Sequence, residues 1–263
     1  VSATEGYDYD ATAFSGYFGF GTLVGGNDAT VFKYAQKAVT ADRMDDALIV
    51  VMMNSESYAG TCYMYYPTSG DYGRGTSVAY FPLGTDSQMF AQLLHHEACG
   101  HGFAKLADEY AYEYMGAIPS DVLADTNKYA EYGWYKNVDF TNDPSSIKWS
   151  RFLSDVRYTY DGLGAYEGGL TYWTGVWRPT ENSIMRYNTG GFNAPSREAI
   201  YYRIHKLAYG ESWTYNYEDF VSYDAINRKT SASQSVKLRP ITPERFEPLA
   251  PPVVVKHSWC DAK

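Results

Sequence analysis

The segment Leu94–Tyr110, LHHEACGHGFAKLADEY, constrains this chain more than any other stretch. It holds three of the five histidines, His95, His96 and His101, together with Glu97, Cys99, Asp108 and Glu109. Imidazole, thiolate and carboxylate groups crowded in this way point to metal binding. His96 and His101 are five residues apart. On a regular helix of 3.6 residues per turn, such side chains stand roughly 140° apart, on different faces. They can meet on one ion only where the helix carries a π-bulge, an extra residue in one turn. Gly100, which has no Cβ, is the natural place for that distortion.

His95 and Cys99, four apart, are an alternative ligand pair, but one that leaves Glu97 without an adjacent ligand. His95-His96-Glu97 also fits the HxE of zinc deaminases; the PCxxC those sites need downstream is missing. A catalytic metal keeps three protein ligands and one open position. Asp108, seven residues past His101, is the best-placed third ligand, and Glu109 is the second choice.

Composition narrows the function classes. The 263 residues carry a net charge of −9 and show no basic cluster, so a nucleic-acid partner held through phosphates is excluded. The longest apolar run, Ala47–Met53, is far too short to span a membrane. Three cysteines, none spaced as CxxC, make no disulfide framework. The 27 tyrosines read as a tyrosine-rich surface and outer core, because the ring covers apolar area while the hydroxyl stays polar.

Along the chain, residues 1–27 read as glycine-rich loop. Asp28–Val39 has a helical apolar stripe with Asp28 as N-cap. Asp46–Asn54 contains a continuous apolar run, the pattern of a strand covered on both faces. Cys62–Tyr66 and Ser77–Leu83 read as paired strands, the second a candidate exposed edge for a peptide. Thr85, Asp86 or Ser87 caps the helix leading into the histidines. From Asp108 to Trp173 the signals weaken into short helices and loops. Pro195 and Gly210 bracket a helix over Ser196–Tyr209. Five of the eleven prolines fall between Pro240 and Pro252, predicting an extended tail. The fold class expected is α/β in the broad sense, mixed α+β, with residues 1–239 as one domain and 240–263 as a proline-rich extension.

His96-Glu97-Ala98-Cys99-Gly100-His101 is one residue longer than the zinc-peptidase HExxH, in which the Glu is the general base. With Phe103, Leu106 and Asp108-Glu109-Tyr110 in register, the segment resembles the signature of the bacterial IgA-specific metalloendopeptidase family. Tyr166-Glu167-Gly168-Gly169, Arg178-Pro179, Ser183-Ile184-Met185-Arg186-Tyr187 and the closing Phe246–Pro252 follow the same order. The resemblance implies a metzincin-like domain, a mixed twisted sheet packed on the active-site helix, with a helical C-terminal part. It implies one catalytic Zn²⁺ on His96, His101 and Asp108, with Glu97 as base, Met185 as an apolar Met-turn floor and Tyr187 as a hydroxyl near the metal. Metzincins place the third ligand six residues after the second histidine, where this chain has Ala107. The implied partner is a protein or peptide substrate, and the implied location is secreted, cell-surface or periplasmic in a bacterium. A first strand and a separate β domain are expected ahead of residue 1. The competing expectation is a non-catalytic peptide- or glycoprotein-binding protein with a structural metal on the same scaffold.

Overall fold

The computed structural model describes residues 13–262 except residue 71 and residues 231–246. Pro240, Pro243 and Phe246, and residues 1–12 of the N-terminal loop expectation, lie outside the described residues. The chain divides into two compact units, residues 1–105 with 248–263, and residues 106–247. Three sheets and several helices make the architecture mixed α+β.

In the first unit, β1 (Tyr17–Phe18) and β2 (Val24–Gly25) form a small antiparallel pair. Helix α1 (Asp28–Ala35) follows, capped by Asn27, whose side chain accepts the Thr30 N–H at 3.0 Å. The cap is therefore one residue earlier than expected. Asp28 is instead the acceptor for the hydroxyls of Tyr65 and Tyr80. The main sheet comprises β3 (Leu48–Met53), β4 (Thr61–Tyr65), β5 (Ser77–Pro82) and a C-terminal strand, Val253–Val255. Their order is β3, β5, β4, C-terminal strand, with β3 parallel and β4 antiparallel to β5.

Two sequence expectations need correction here. Every residue of β5 is buried, because neighbours pair with both its edges, so it offers no edge to a peptide. The apolar run in β3 is covered on one face only. Val50 and Met52 are exposed, while Val51 and Met53 pack into the core with Phe32, Met44 and Tyr80. A short apolar run looks the same whether one or both faces are covered.

Helix α2 (Ser87–Leu93) is capped by Asp86, which accepts the Met89 N–H at 2.8 Å. It runs directly into a π-helix, Leu94–Phe103, that lies on the sheet. The approach is close. A Cβ at Gly102 would stand 2.4 Å from Leu48 Cδ1. Past the π-helix, the fully buried Lys105 donates to the Gly75 carbonyl at 2.6 Å and to the Ser77 hydroxyl, tying the exit of the helix to the start of β5.

The second unit has a three-stranded sheet of β6 (Ala111–Ala117), β7 (Leu163–Gly169) and β8 (Thr171–Thr180) in the order β6, β8, β7. Leu170 and Thr171, at φ +51° and +70°, make the tight turn between β7 and β8. Helices α3 (Ser120–Glu131), α4 (Ser150–Ser154), α5 (Ile184–Tyr187), α6 (Ala194–Tyr209) and α7 (Tyr217–Tyr223) complete it. Its core gathers Trp149, Phe152, Tyr158, Tyr201, Phe220 and Val221. Pro195 and Gly210 bracket α6 as expected, whereas β6 and α3 occupy a stretch that reads only as weak signals. No helix among the described residues is long and apolar enough to cross a membrane.

Candidate metal centre

The π-helix resolves the five-residue spacing. In this geometry the backbone bonds run i→i+5, as in the Ala104 N–H to Cys99 carbonyl bond of 3.0 Å. Residues five apart therefore come one above the other. His96 and His101 lie with their Nε2 atoms 3.2 Å apart and their ring centroids 4.9 Å apart. Two nitrogens each about 2.05 Å from a tetrahedral ion would be ~3.3 Å apart. The separation is that of two ligands of one ion. The distortion is larger than the single bulge anticipated at Gly100, since the π-helix covers ten residues.

Asp108 completes the set. One ligand atom each from His96, His101 and Asp108 lies within 4.8 Å of the others, and all three residues are buried. Asp108 is fixed through its backbone, its carbonyl accepting the Leu170 N–H at 2.9 Å. Two imidazoles and one carboxylate suit a borderline ion such as Zn²⁺, and three protein ligands leave a position open. His95 is exposed and lies outside this group, as does the half-buried Cys99, whose thiol is pushed up by burial.

Glu109, the second candidate ligand, has a different place. It is fully buried. Its oxygens accept from Asn137 Nδ2 at 2.8 Å, Ser183 Oγ at 2.6 Å and Asn193 Nδ2 at 2.9 and 3.1 Å. Burial pushes its carboxyl above the usual range, while these donors and the nearby Arg178 pull the other way. Its N–H donates to the Met185 carbonyl at 2.8 Å. Glu109 thus fastens the chain beside Asp108 to the turn containing Met185.

That turn is α5, one helical turn closed by Asn188 in the left-handed region at φ +54°. Met185 is fully buried, and Tyr187 is partly exposed with its ring 4.4 Å from the Arg186 guanidinium. Glu97 is fully buried and packs on Gly60, where a Cβ would come 2.7 Å from Glu97 Oε1. His205 stacks on Trp213 and Tyr201. Sequence reasoning missed Gly60, Asn137 and Asn193 altogether. Arg178 and Ser183 were visible only as parts of the Arg-Pro and Ser-Ile-Met motifs.

The family model described as IgA Peptidase M64 matches residues 13–160, more than half of the chain. A search of curated proteins finds no match.

Proposed function

This chain belongs to the IgA Peptidase M64 family, a peptidase family, and from that premise we propose that it is a zinc-dependent endopeptidase. The observation that carries the reading is the buried group of His96, His101 and Asp108, brought together by the π-helix. These three residues would hold the ion. When bound, zinc supplies Lewis acidity toward the scissile carbonyl and lowers the pKa of water toward about 7.

The chain's own residues do the rest. Glu97 is next in sequence to one ligand, and its carboxyl group lies against Gly60, where a side chain would collide with it. Its carboxylate takes the proton of the attacking water and returns it to the nitrogen of the leaving amine. Tyr187 donates its hydroxyl proton as a hydrogen bond to the oxyanion that develops on the carbonyl. Met185 supplies the apolar turn, and its carbonyl holds the backbone of Glu109, next to Asp108. The substrate class is protein or peptide, and we place the enzyme outside the bacterial cytoplasm. A binding protein with a structural metal would close the coordination sphere with a fourth ligand, and neither His95 nor Cys99 joins the group.

Glu97→Gln is the test. The expected result is unchanged zinc content by elemental analysis and loss of hydrolysis of a quenched fluorescent casein by about 10²-fold or more. A variant that retains both zinc and full turnover would overturn the assignment.

A further inference from the structure

In the first unit, strand pairing sets Tyr63 and Tyr65 of β4 directly opposite Val253 and Val255 of the C-terminal strand. Residues two apart on a strand point to the same side, so these four side chains share one face of the sheet. With Tyr17 of β1 and the start of α1 at Asn27–Ala29 they line an open cavity of about 760 Å³. That size suits a small organic molecule or one long side chain. A glycine makes one wall possible. A Cβ at Gly25 would stand 2.5 Å from the Tyr63 hydroxyl and 2.7 Å from that of Tyr17, and the two hydroxyls meet there at 3.3 Å. The Tyr63 ring is set in turn by Tyr80, nearly perpendicular to it with centroids 5.7 Å apart.

The charge on this lining has one sign. Asp28 and Asp261 are its carboxylates, and no Lys or Arg is among the described residues that line it. Asp28 is partly buried, and each of its oxygens accepts one phenol, from Tyr65 or from Tyr80. No cation among the described residues acts on it; burial pushes its carboxyl up, and the phenols offset part of that. A neutral ligand would leave this carboxylate uncompensated, whereas a cation would compensate it. A carboxylate offers about four acceptor positions, so lone pairs remain for a further donor. A guanidinium fork needs two parallel oxygens and would find both engaged, but one ammonium N–H needs a single lone pair. The residues grouped to hold a metal ion, among those described, lie elsewhere. Tyrosine rings draw a cation to their faces, and the valines accept an alkyl stem.

We propose that this cavity is a binding site for an alkylammonium group, its charge held by Asp28 and Asp261 and its stem by Tyr17, Tyr63 and the paired valines. The group comes from a free amine or from a lysine side chain of a peptide. The site is independent of the metal centre and of the peptidase reading, since every residue that forms it belongs to the first unit and none is a candidate ligand.

The test uses the full chain with ¹³C in its tyrosine rings and follows the Tyr17 and Tyr63 signals by NMR, assigned through Tyr17→Phe and Tyr63→Phe. The probes are n-butylammonium and acetyl-Ala-Lys-Ala-amide, each beside a neutral partner, n-butanol and acetyl-Ala-norleucine-Ala-amide. At least one cationic probe is expected to shift both signals to saturation, with its neutral partner about 10-fold or more weaker. A response to butylammonium alone identifies a free amine, a response to the peptide alone identifies lysine, and a response to both identifies the ammonium group wherever it is carried.

Asp28→Asn should weaken binding about 10-fold or more. Because that change also touches two buried phenols, exposed positions supply the second test. Tyr17→Leu should weaken binding about 2- to 5-fold and Tyr17→Phe, which keeps the ring, far less. Asp261→Asn should weaken it several-fold, with the fold of each variant checked by circular dichroism. Signals that ignore both cations, neutral partners that bind as well as the cations, or an affinity unchanged in both Tyr17→Leu and Asp261→Asn would overturn the proposal.

Discussion

At Asn193 one side chain is divided between two structures. Its Oδ1 accepts the Ser196 N–H at 3.1 Å and caps α6, while its Nδ2 donates to both oxygens of Glu109 and to Thr180 Oγ1. Substitutions separate these roles. Asn193→Ser keeps a capping oxygen and should cost about 1–3 kcal/mol for the lost bonds to Glu109. Asn193→Asp also keeps the cap but sets a second carboxylate against Glu109, so urea unfolding should find it the more damaging variant. No loss in either variant would show that the Glu109 contact does not matter. The same residues explain what the sequence could disclose. Two histidines and an acid in a short segment announce ligand chemistry because the ligating atoms belong to those side chains. The role of Glu109 was illegible because its partners lie 28, 74 and 84 residues away in the chain.

Among the elements, the π-helix is the one whose shape bears directly on the chemistry. Its extra residue is matched to the five-residue spacing of the ligands, so shortening both together should be tolerated. Deleting Gly100 places His101 four residues from His96, where an ordinary α-helix brings the two rings to one face. The deletion variant is expected to bind zinc within about tenfold of the parent in chelator competition, roughly 1.4 kcal/mol. Loss of binding would mean that i→i+5 geometry is itself required. The need for a distorted helix was readable from spacing alone; its ten-residue extent was not, because only packing on the sheet decides how far a π segment spreads. Strand β6 and helix α3 escaped notice for a related reason. Six of the seven β6 residues carry polar, aromatic or small side chains and none is buried, so the strand shows no apolar alternation, while the inward face of α3 fully buries only Thr126 and Tyr129, both with polar groups.

For the whole molecule, the metal group links binding to stability. An ion held by His96, His101 and Asp108 stabilises the folded chain by mass action, about 4 kcal/mol at a thousandfold excess over the dissociation constant. Chelation should therefore lower the thermal midpoint, and added zinc should restore it. Acid stability depends on other carboxylates. Hydrogen bonds from Arg157 hold Asp155 down at about 2. A depressed folded value means stability that is present above the ordinary carboxylate range and is lost as pH falls from about 4 toward 2. Asp155→Asn should flatten the pH dependence of the unfolding midpoint across that window. Asp28, pushed up by burial, acts in the opposite sense.

The many tyrosines have a consequence at the alkaline end. Tyr65 and Tyr80 bond to Asp28, Tyr158 to Asp224, Tyr215 to Glu198 and Tyr217 to Asp155. Burial, followed by these carboxylates, holds all five phenols above their usual range. Their contribution is present below pH about 10 and is lost above it, because the unfolded chain gives up those protons first. In a spectrophotometric titration the exposed rings will ionise gradually, whereas these five will appear together when the structure opens. The phenolate absorbance near the end of such a titration is thus an optical record of unfolding that needs no added dye or label.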